Sequence, residues 1–406
     1  MERILNQSHH KETFFYGLSR MLERASYYGL RSLLVLYMVG ESLKMDRDEA
    51  FNIYGWFIGL FVVSQVIGAI LGDLIIGTRK SIIIGGIIQT IGAFSFCLPS
   101  SIGLYLGLFL VILGGGLYSP NITSSFGKLY LSKTKLLDSG FTLLYLAANL
   151  GAFWGILLIG YSGEKYGWNI GFIIAGTLML FSIIPILISK EKNPQEKLAS
   201  EQPIGKRIVN ITIAFLLVAI FWAIYEISNI RFFGLQIQLS EISALNIPKS
   251  MWSSINSVFI LPISLLAIIL WRYLYSSQLF KLMIGFILSA ISYGILFLIP
   301  ETPTEQHTIL YLVSIFFLCI SEVHIAPIIN SVLTKYTNPK YLAILISLSF
   351  IPTRLVSSII WLFNEGQYDN PKLAILIGMI AMFIMSLGLI AYHLTHKKPL
   401  TSLTHN

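Results

Sequence analysis

Three arginines recur at helical spacing inside the first long apolar run of the chain. Arg20, Arg24 and Arg31 lie on one face of a helix that advances about 100° per residue. Glu23 and Tyr27 fall on the same face. An arginine at the centre of a bilayer costs roughly 2.5 kcal/mol or more, so this face must meet water, counter-charges or an anionic ligand. The stripe therefore predicts a polar cavity. The alternative is a charge cluster that only joins neighbouring helices.

Composition places this run in a membrane protein. The 406 residues are 55% hydrophobic and 12% charged, with a mean hydropathy of +0.74. A soluble domain carries about 25% charged residues, and a membrane-spanning helix needs about 20 apolar residues. Apolar runs of that length predict an all-α membrane protein with twelve transmembrane helices, near residues 14–39, 51–76, 81–98, 102–127, 139–161, 169–189, 208–233, 251–271, 279–299, 308–333, 342–363 and 373–394.

The basic residues predict how these helices are oriented, because short cytoplasmic loops retain Lys and Arg and translocated loops carry few. One alternating set of segments holds only Lys44, Arg47, Lys165, Lys249 and Lys372. The other set, which includes both termini, holds Arg3, Lys11, Arg79, Lys80, Lys128, Lys133, Lys135, Lys190, Lys192, Lys197, Lys206, Arg207, Arg272, Lys281, Lys335, Lys340, Lys397 and Lys398. We expect a multi-pass protein of the cytoplasmic cell membrane with both termini in the cytoplasm.

Several classes of partner are not expected. The net charge of +8 follows from the loop asymmetry and from the anionic lipid of the inner leaflet, so it gives no support to nucleic-acid binding. The polar start of the chain predicts no removable signal peptide. Cys97 and Cys319 lie inside predicted helices without the spacing of a disulfide framework or a metal site. We expect a monomer in the lipid bilayer, with no metal and no cofactor.

The longest polar connection divides the predicted helices into two sets of six. We predict an N-terminal bundle at 1–189, a cytoplasmic linker at 190–207 and a C-terminal bundle at 208–406. This arrangement resembles the major facilitator fold, in which two bundles rock around a site near the middle of the membrane. The loop after the second helix resembles a short motif of that superfamily, whose acid can bind a base or a helix end when the inner gate closes. Its residues here are Gly68, Asp73, Gly77, Arg79 and Lys80.

Motifs in matching order along the chain resemble the proton-dependent oligopeptide transporter family, the POT or PTR family. The first, ERASYYGLR, covers residues 23–31, and the second covers residues 116–122. The fifth-helix signature starts at Asp138 and continues through Tyr145, Asn149, Gly151 and Phe153. The later matches are Gly167, Trp168, Phe172 and Ala175, then Phe221, Trp222 and Ala223 with Glu226, then Asn256 and Pro262, and then Ser321, Glu322 and Pro327.

This resemblance implies a binding pocket for di- and tripeptides. The arginine at the position of Arg31 is associated in the family with the peptide carboxylate, and the acid at the position of Glu226 with proton coupling. Arg24 and Arg31 would bind the α-carboxylate with their planar forks, and Glu322 would bind the ammonium end. The remaining pocket residues would be Tyr27, Tyr28, Asn149, Trp222 and Asn256.

Depth along the predicted helices indicates two gating pairs. A rise of about 1.5 Å per residue places Arg31 and Glu226 both about 26 Å from the cytoplasm. An ion pair between them would close the outer gate until a ligand or a proton competed for it. Glu322 and Arg354 both lie about 17–18 Å deep, so we expect them to pair within the C-terminal bundle. Together with a pair of Arg20 and Glu23 in the N-terminal bundle, this pairing would make the inner gate lose a charge lock between the bundles.

Three positions depart from the family pattern. Arg20 stands where a glutamate is expected, Ser119 where a lysine is expected, and Val62 where the family often has a pocket tyrosine. An arginine does not deprotonate in proteins, so Arg20 cannot carry a proton, and we expect it to pair with Glu23. The intramembrane carboxylates left for proton coupling are Glu23, Glu226 and Glu322.

The expected function is secondary active transport of di- or tripeptides, or of similar small zwitterionic solutes, by alternating access, with or without coupling to protons. One alternative is a facilitator or exchanger for another organic anion. Another, from a different class, is a non-transporting nutrient sensor, although a sensor usually needs a soluble output domain. An enzyme is not expected, because the sequence contains no nucleophile with a base and no metal cluster.

Overall fold

The computed structural model describes residues 2–3, 8–190, 202–243, 252, 255–351 and 371–395. Its helices before the polar connection are α1 (Glu12–Val39), α2 (Arg47–Leu71), α3 (Thr78–Ser95), α4 (Ser101–Lys128), α5 (Leu137–Gly155), α6 (Tyr161–Tyr166) and α7 (Trp168–Ile188). The helices after it are α8 (Ile204–Ile242), α9 (Ile255–Tyr273), α10 (Gln278–Phe297), α11 (His307–Tyr336), α12 (Leu342–Leu348) and α13 (Pro371–Thr395).

Short irregular turns extend some of these helices. The π turns Gly72–Ile76 and Ile156–Gly160 follow α2 and α5, and the 3-10 turns Thr134–Leu136 and Pro339–Tyr341 precede α5 and α12. Two strands of two residues each, β1 (Glu2–Arg3) and β2 (Leu274–Tyr275), pair in antiparallel orientation.

Within the described ranges, nine helices are long and apolar enough to cross a membrane. The predicted all-helical membrane fold is therefore confirmed, apart from the one pair of very short strands. The predicted run at 342–363 is described only as far as residue 351, and most of the predicted linker, residues 191–201, lies outside the described residues.

Helix α8 is longer than the apolar run that predicted it. It continues from 233 to Ile242 because Leu235 and Leu239 keep the helical spacing of apolar residues. Both side chains are fully buried in the core that α8 shares with the later helices. The predicted end of this helix at 233 was therefore too early. It followed the first polar residues, although the buried face of the helix continues beyond them.

Close backbone contacts set the rotation of α1. This helix packs against α5 and α7. A Cβ atom on Gly151 of α5 would overlap the carbonyl of Met21, and one on Gly155 would overlap the carbonyl of Ala25. The absence of side chains at these two positions lets α1 and α5 approach closely, and the polar face of α1 then meets α2 and α4.

The helices after the polar connection form a second packed unit. Helix α10 packs against α11 and α13, and α8 packs against the same two helices. Their shared apolar core includes Phe221, Trp271, Phe286, Tyr293 and Leu333.

The parts of the chain before and after residues 190–207 touch through two groups of helices. Helix α5 packs against α9 and α11, and α12 packs against α2 and α4. The α12 contacts lie at the end of the molecule where the α2–α3, α4–α5, α9–α10 and α11–α12 connections meet. We call this end the basic face, because its connections carry Arg79, Lys80, Lys133, Lys335 and Lys340.

The segment before α1 also lies along the basic face. The Lys133 ammonium donates to the Ser8 carbonyl (2.8 Å), and the Tyr130 hydroxyl lies 2.8 Å from His9 Nδ1 and 2.7 Å from Thr13 Oγ1. Burial, followed by the positive charges of Arg272 and Lys133, lowers the pKa of His9 to about 4.

Candidate functional site

The stripe on α1 forms a compact ionic cluster with α4. Glu23 Oε2 accepts from Arg20 Nη1 (3.2 Å) and from Arg24 Nε (2.8 Å). Ser119 Oγ accepts from the same two guanidinium groups, at 3.0 Å from Arg20 and 2.8 Å from Arg24. The predicted pair of Arg20 with Glu23 is confirmed. Ser119, which departs from the family pattern, bridges the two arginines as a neutral acceptor.

Charge in this cluster is unbalanced. Arg24 is only 8% exposed and Glu23 is fully buried, so water screens their charges weakly. Two cations share one carboxylate, and among the described residues Glu23 Oε1 has no hydrogen-bond partner. A buried net positive charge is unfavourable, so this cluster is suited to an additional anionic group.

Arg31 lies at the other end of the stripe, among aromatic side chains. Its Nε donates to the Tyr54 hydroxyl on α2 (2.5 Å), and its guanidinium lies 5.4 Å from the Tyr54 ring centre and 6.0 Å from that of Tyr28. Arg24 lies over the rings of Tyr27 (5.3 Å) and Tyr28 (5.8 Å). Cation–π contacts therefore join both arginines to the predicted pocket aromatics. The Arg31–Glu226 outer gate stays a prediction.

Tyr54 is a contact of Arg31 that the sequence patterns do not reveal. It lies about two turns from the start of α2 in an aromatic run, so composition alone does not separate it from packing residues such as Phe57. The signal that could have identified Tyr54 is the missing tyrosine at position 62. The family pattern expects a tyrosine hydroxyl in this helix, Val62 lacks it, and Tyr54 supplies one about two turns earlier.

A second polar cluster joins α5 to α11. The Tyr145 hydroxyl donates to Glu322 Oε1 (2.5 Å), and Asn149 Nδ2 donates to the Tyr145 carbonyl (2.9 Å). Glu322 is 7% exposed. Tyr145 was identified only as part of a motif, but it makes the contact with the acid that the sequence analysis placed in the pocket. Its position four residues before Asn149, on the same helix face, was the available signal.

Asn256 of α9 completes this second cluster. Its Nδ2 donates to the Tyr225 hydroxyl (3.3 Å), and its Oδ1 accepts from the Cys319 thiol (2.6 Å). The ring of Trp222 lies 5.1 Å from that of Tyr225. Tyr225 and Cys319 were not predicted as site residues. Cys319 was interpreted as a packing residue, and it is both buried and hydrogen-bonded.

Arg354 lies outside the described residues, so the Arg354–Glu322 pair remains untested by the structure. Val62 is half-buried on α2. Within the residues that the structure describes, no group of three or more His, Cys, Asp or Glu side chains could hold a metal ion.

The motif after α2 connects both parts of the chain at the basic face. Asp73 Oδ2 accepts from the backbone N–H of Ile344 in the first turn of α12 (3.0 Å), and Lys128 Nζ lies 3.4 Å from Asp73 Oδ1. The acid thus binds a helix end and a base together, as the motif predicted. Gly77 has φ of +90°, which glycine adopts at low cost, and Arg79 donates to the carbonyl of Ser189 (2.8 Å) at the end of α7.

An ion pair that the sequence patterns do not predict joins the two parts at the basic face. Lys281 at the start of α10 forms an ion pair with Asp138 at the start of α5, and both side chains are buried. The charge pattern places Lys281 among the loop lysines, and Asp138 is distinguished in the sequence only as a motif residue. A lysine inside the apolar run at 279–299 was the signal that it needed a buried partner. The loss of a charge lock at the inner gate stays a prediction, because Arg354 lies outside the described residues.

Similar proteins support the same family. Residues 79–206 match the family model described as the POT family. The chain is 34% identical over 190 residues to the uncharacterized transporter YclF of Bacillus subtilis (strain 168), covering 46% of this chain and 39% of that protein. It is 28% identical over 264 residues to the di-/tripeptide transporter of Lactococcus lactis subsp. cremoris, covering 58% and 52%. The chain therefore spans about half, or less, of the length of these relatives.

Solved structures show the fold over nearly the whole chain. The crystal structure of a peptide transporter POT in complex with sulfate has a TM-score of 0.61 at 22% identity, covering 95% of each chain. A POT family transporter in complex with 5-aminolevulinic acid has a TM-score of 0.64 at 22% identity, covering 94% of this chain and 97% of that one. Residues 79–206 thus match the POT family model, part of the chain is similar to a di-/tripeptide transporter, and its fold is similar to that of solved POT transporters, which confirms the family resemblance that its motifs predicted.

Proposed function

We propose that this chain is a secondary active transporter of di- and tripeptides, or of similar small zwitterionic solutes, and that it works by alternating access. The observation that carries the proposal is the pairing of a cationic cluster on α1 with an acidic cluster on α11. The first has Arg20, Arg24 and Arg31, and the second has Glu322 hydrogen-bonded to Tyr145 of the other part of the chain. Such a pair of clusters suits a solute with a carboxylate at one end and an ammonium group at the other.

The architecture that goes with this function is twelve transmembrane helices in two six-helix bundles, 1–189 and 208–406, joined by a linker at 190–207. The basic face then lies in the cytoplasm, together with both termini. The chain works as a monomer in the cytoplasmic membrane. Its two packed units and the contacts of α5 and α12 between them support this arrangement.

Each polar cluster has a role in binding the solute. The forks of Arg24 and Arg31 bind the α-carboxylate, and Glu322 binds the ammonium group. The half-buried rings of Tyr28 and Trp222 form walls that accept varied side chains. The other pocket residues are Tyr27, Asn149 and Asn256.

Coupling to protons depends on the intramembrane carboxylates. In this proposal, Arg31 is the gating partner of Glu226, and Arg354 is the gating partner of Glu322. Arg20 holds a fixed charge, and Glu23 is bound by two guanidinium groups, so Glu226 and Glu322 are the remaining carriers. The substitution Glu226→Gln is expected to abolish accumulation driven by a pH gradient, because a carboxamide does not bind and release a proton as a carboxyl group does. Uphill uptake retained by this variant would contradict the role of Glu226.

A second candidate function is facilitated diffusion or exchange of another organic anion. The unbalanced positive charge around Glu23 favours it, because that cluster accepts one more anionic group.

Uptake into proteoliposomes separates these functions. Purified protein is reconstituted, and uptake of a labelled dipeptide is measured with an inward proton gradient and without one. Symport predicts accumulation above the outside concentration only with the gradient, whereas facilitated diffusion predicts equal end points. Saturable uptake of a monocarboxylate anion with no uptake of any dipeptide would overturn the peptide assignment.

A further inference from the structure

Tyr54 of α2 contacts the guanidinium group of Arg31 in two ways. Its hydroxyl oxygen accepts a hydrogen bond from Arg31 Nε at 2.5 Å, and its ring centre lies 5.4 Å from the guanidinium carbon. The hydrogen bond sets the direction of the group, and the ring limits its tilt. Arg31, Tyr28 and Tyr54 are all half-buried, so this contact lies at the edge of accessible space and not in closed packing.

Aromatic packing between α1 and α2 fixes the position of the Tyr54 hydroxyl. The Tyr54 ring packs against a buried core that includes Phe57 and Phe61 of the same helix. Tyr27 of α1 stacks on Phe57 at 6.2 Å between ring centres and lies 4.7 Å from the ring centre of Phe61. The oxygen that meets Arg31 therefore belongs to a packed aromatic wall, and it does not move independently of that wall.

The contact leaves the carboxylate-binding edge of Arg31 available. A guanidinium group has five N–H donors in one plane, and its two Nη atoms together form an edge that matches the two oxygens of a carboxylate. Tyr54 occupies Nε, which is not part of that edge. The hydroxyl can therefore orient Arg31 without taking the place of an anionic ligand.

Tyr54 also orients Arg31 without neutralising it. A phenol has no charge at neutral pH, whereas an aspartate or glutamate at the same place would compete with a ligand carboxylate for the charge of the arginine. Ser119 of α4 makes the same kind of contact, because its uncharged hydroxyl accepts from Arg20 and Arg24. Neutral hydroxyl groups on α2 and α4 thus hold the cations of α1 and leave their charge available.

We infer that Tyr54 is a positioning residue for Arg31, and that its hydroxyl group presets the guanidinium for the carboxylate of the solute. This inference rests on the proposed function and deepens the part of it that concerns Arg31. Without the hydroxyl, the Arg31 side chain regains rotamer freedom in the empty pocket, and binding must then restrict it again. The cost falls on the binding of solutes that carry the carboxylate, and not on the rate of the transport cycle.

The substitution Tyr54→Phe tests this role, because it removes one oxygen atom and keeps the ring. Uptake of a labelled dipeptide into proteoliposomes should show a KM about 10-fold higher, with a maximal rate within about 2-fold of the parent value. The C-terminal amide of the same dipeptide has no carboxylate, so its inhibition constant, measured at concentrations high enough to inhibit, should stay unchanged. A loss of general pocket structure would instead weaken both compounds alike.

Two further variants connect the effect to Arg31. Tyr161→Phe is the matched control, because the exposed Tyr161 hydroxyl on α6 also accepts from a cation, Lys165 Nζ, at 2.7 Å. It should leave the KM unchanged. In an Arg31→Lys background, Tyr54→Phe should change the KM by less than about 2-fold, because a lysine has freely rotating donors and no planar fork to preset.

The result separates this inference from the proposed function. An unchanged KM in folded Tyr54→Phe protein, or an equal loss of affinity for the dipeptide and its amide, would overturn the role of Tyr54 and leave peptide transport intact. If Tyr54→Phe does not fold, Tyr54→Leu takes its place and should raise the KM at least as much, because it also removes the ring contact. A parent protein without saturable dipeptide uptake would contradict the proposed function and this inference together.

Discussion

At the scale of residues, the chain replaces an expected acid–base pair with a fixed cationic site. Ser119 has no charge, and its hydroxyl accepts from Arg20 and Arg24, which also share Glu23 Oε2. The planar forks of both arginines are thereby held in place by two acceptors. In the proposed pocket, this geometry would keep Arg24 oriented for a carboxylate without any need for a proton to arrive or leave.

The fork of Arg24 is expected to matter more than its charge. Arg24→Lys keeps the positive charge but replaces the two donor nitrogens that bind Glu23 and Ser119, Nε and Nη2, with a single ammonium nitrogen. We expect the affinity for a dipeptide to fall by about 10-fold, which corresponds to about 1.4 kcal/mol. Competition uptake in proteoliposomes measures this change. Lys165→Arg, at an exposed position whose ammonium group contacts Tyr161 and Tyr166, is the control and should leave the affinity unchanged.

At the scale of elements, the position of α1 depends on two glycines of α5. A methyl group at Gly155 would overlap the backbone of Ala25, so Gly155→Ala should force the helices apart and cost about 1–3 kcal/mol. Gly388 on α13 has open space around its Cβ position, and Gly388→Ala should be neutral or stabilising by about 0.5–1 kcal/mol. Thermal unfolding midpoints of the two variants give the comparison, and equal midpoints would contradict the close α1–α5 contact.

The segment before α1 is an element whose packing depends on pH. The pKa of His9 is about 4 in the folded protein, below the ordinary value of 6.5, because burial and the charges of Arg272, Lys133 and His10 disfavour its protonated form. The folded state therefore binds fewer protons than the unfolded state between pH 6.5 and 4. The stability of this packing should be fully present above pH 6.5 and decrease as the pH falls toward 4.

Hydrogen exchange of residues 8–13 at pH 7.5 and pH 5 measures this effect, after correction for the intrinsic exchange rate. We expect lower protection at pH 5 in the parent protein. His9→Gln cannot take up the proton, so it should lose most of this pH dependence. An identical pH dependence in both proteins would rule out His9 as the titrating group.

At the scale of the whole molecule, apolar periodicity and charge bias were sufficient to predict a helical membrane fold and the residues of the α1 stripe. They could not predict partners that lie far away in sequence. Asp138 and Lys281 are 143 positions apart. Each fits a local sequence pattern, because Asp138 belongs to a helix motif and Lys281 to a set of loop lysines. Tyr145 and Glu322 likewise meet only because α5 packs against α11. Contacts between the two parts depend on tertiary packing, which no window of sequence contains.

The two parts meet at the basic face through Asp138–Lys281 and through Asp73 with α12. In the proposed alternating-access function, these contacts break and others form on the opposite side. We propose that the solute is bound by groups from both parts, with its carboxylate at the α1 stripe and its ammonium group at Glu322. This dual recognition is the central claim.

The most direct test compares a dipeptide with its C-terminal amide in proteoliposome uptake. The amide keeps the ammonium group and both side chains but has no carboxylate for Arg24 and Arg31. We predict saturable uptake of the labelled dipeptide that the free dipeptide inhibits and the amide does not inhibit at similar concentrations. Equal inhibition by the two compounds, or no saturable uptake of the dipeptide, would contradict the account.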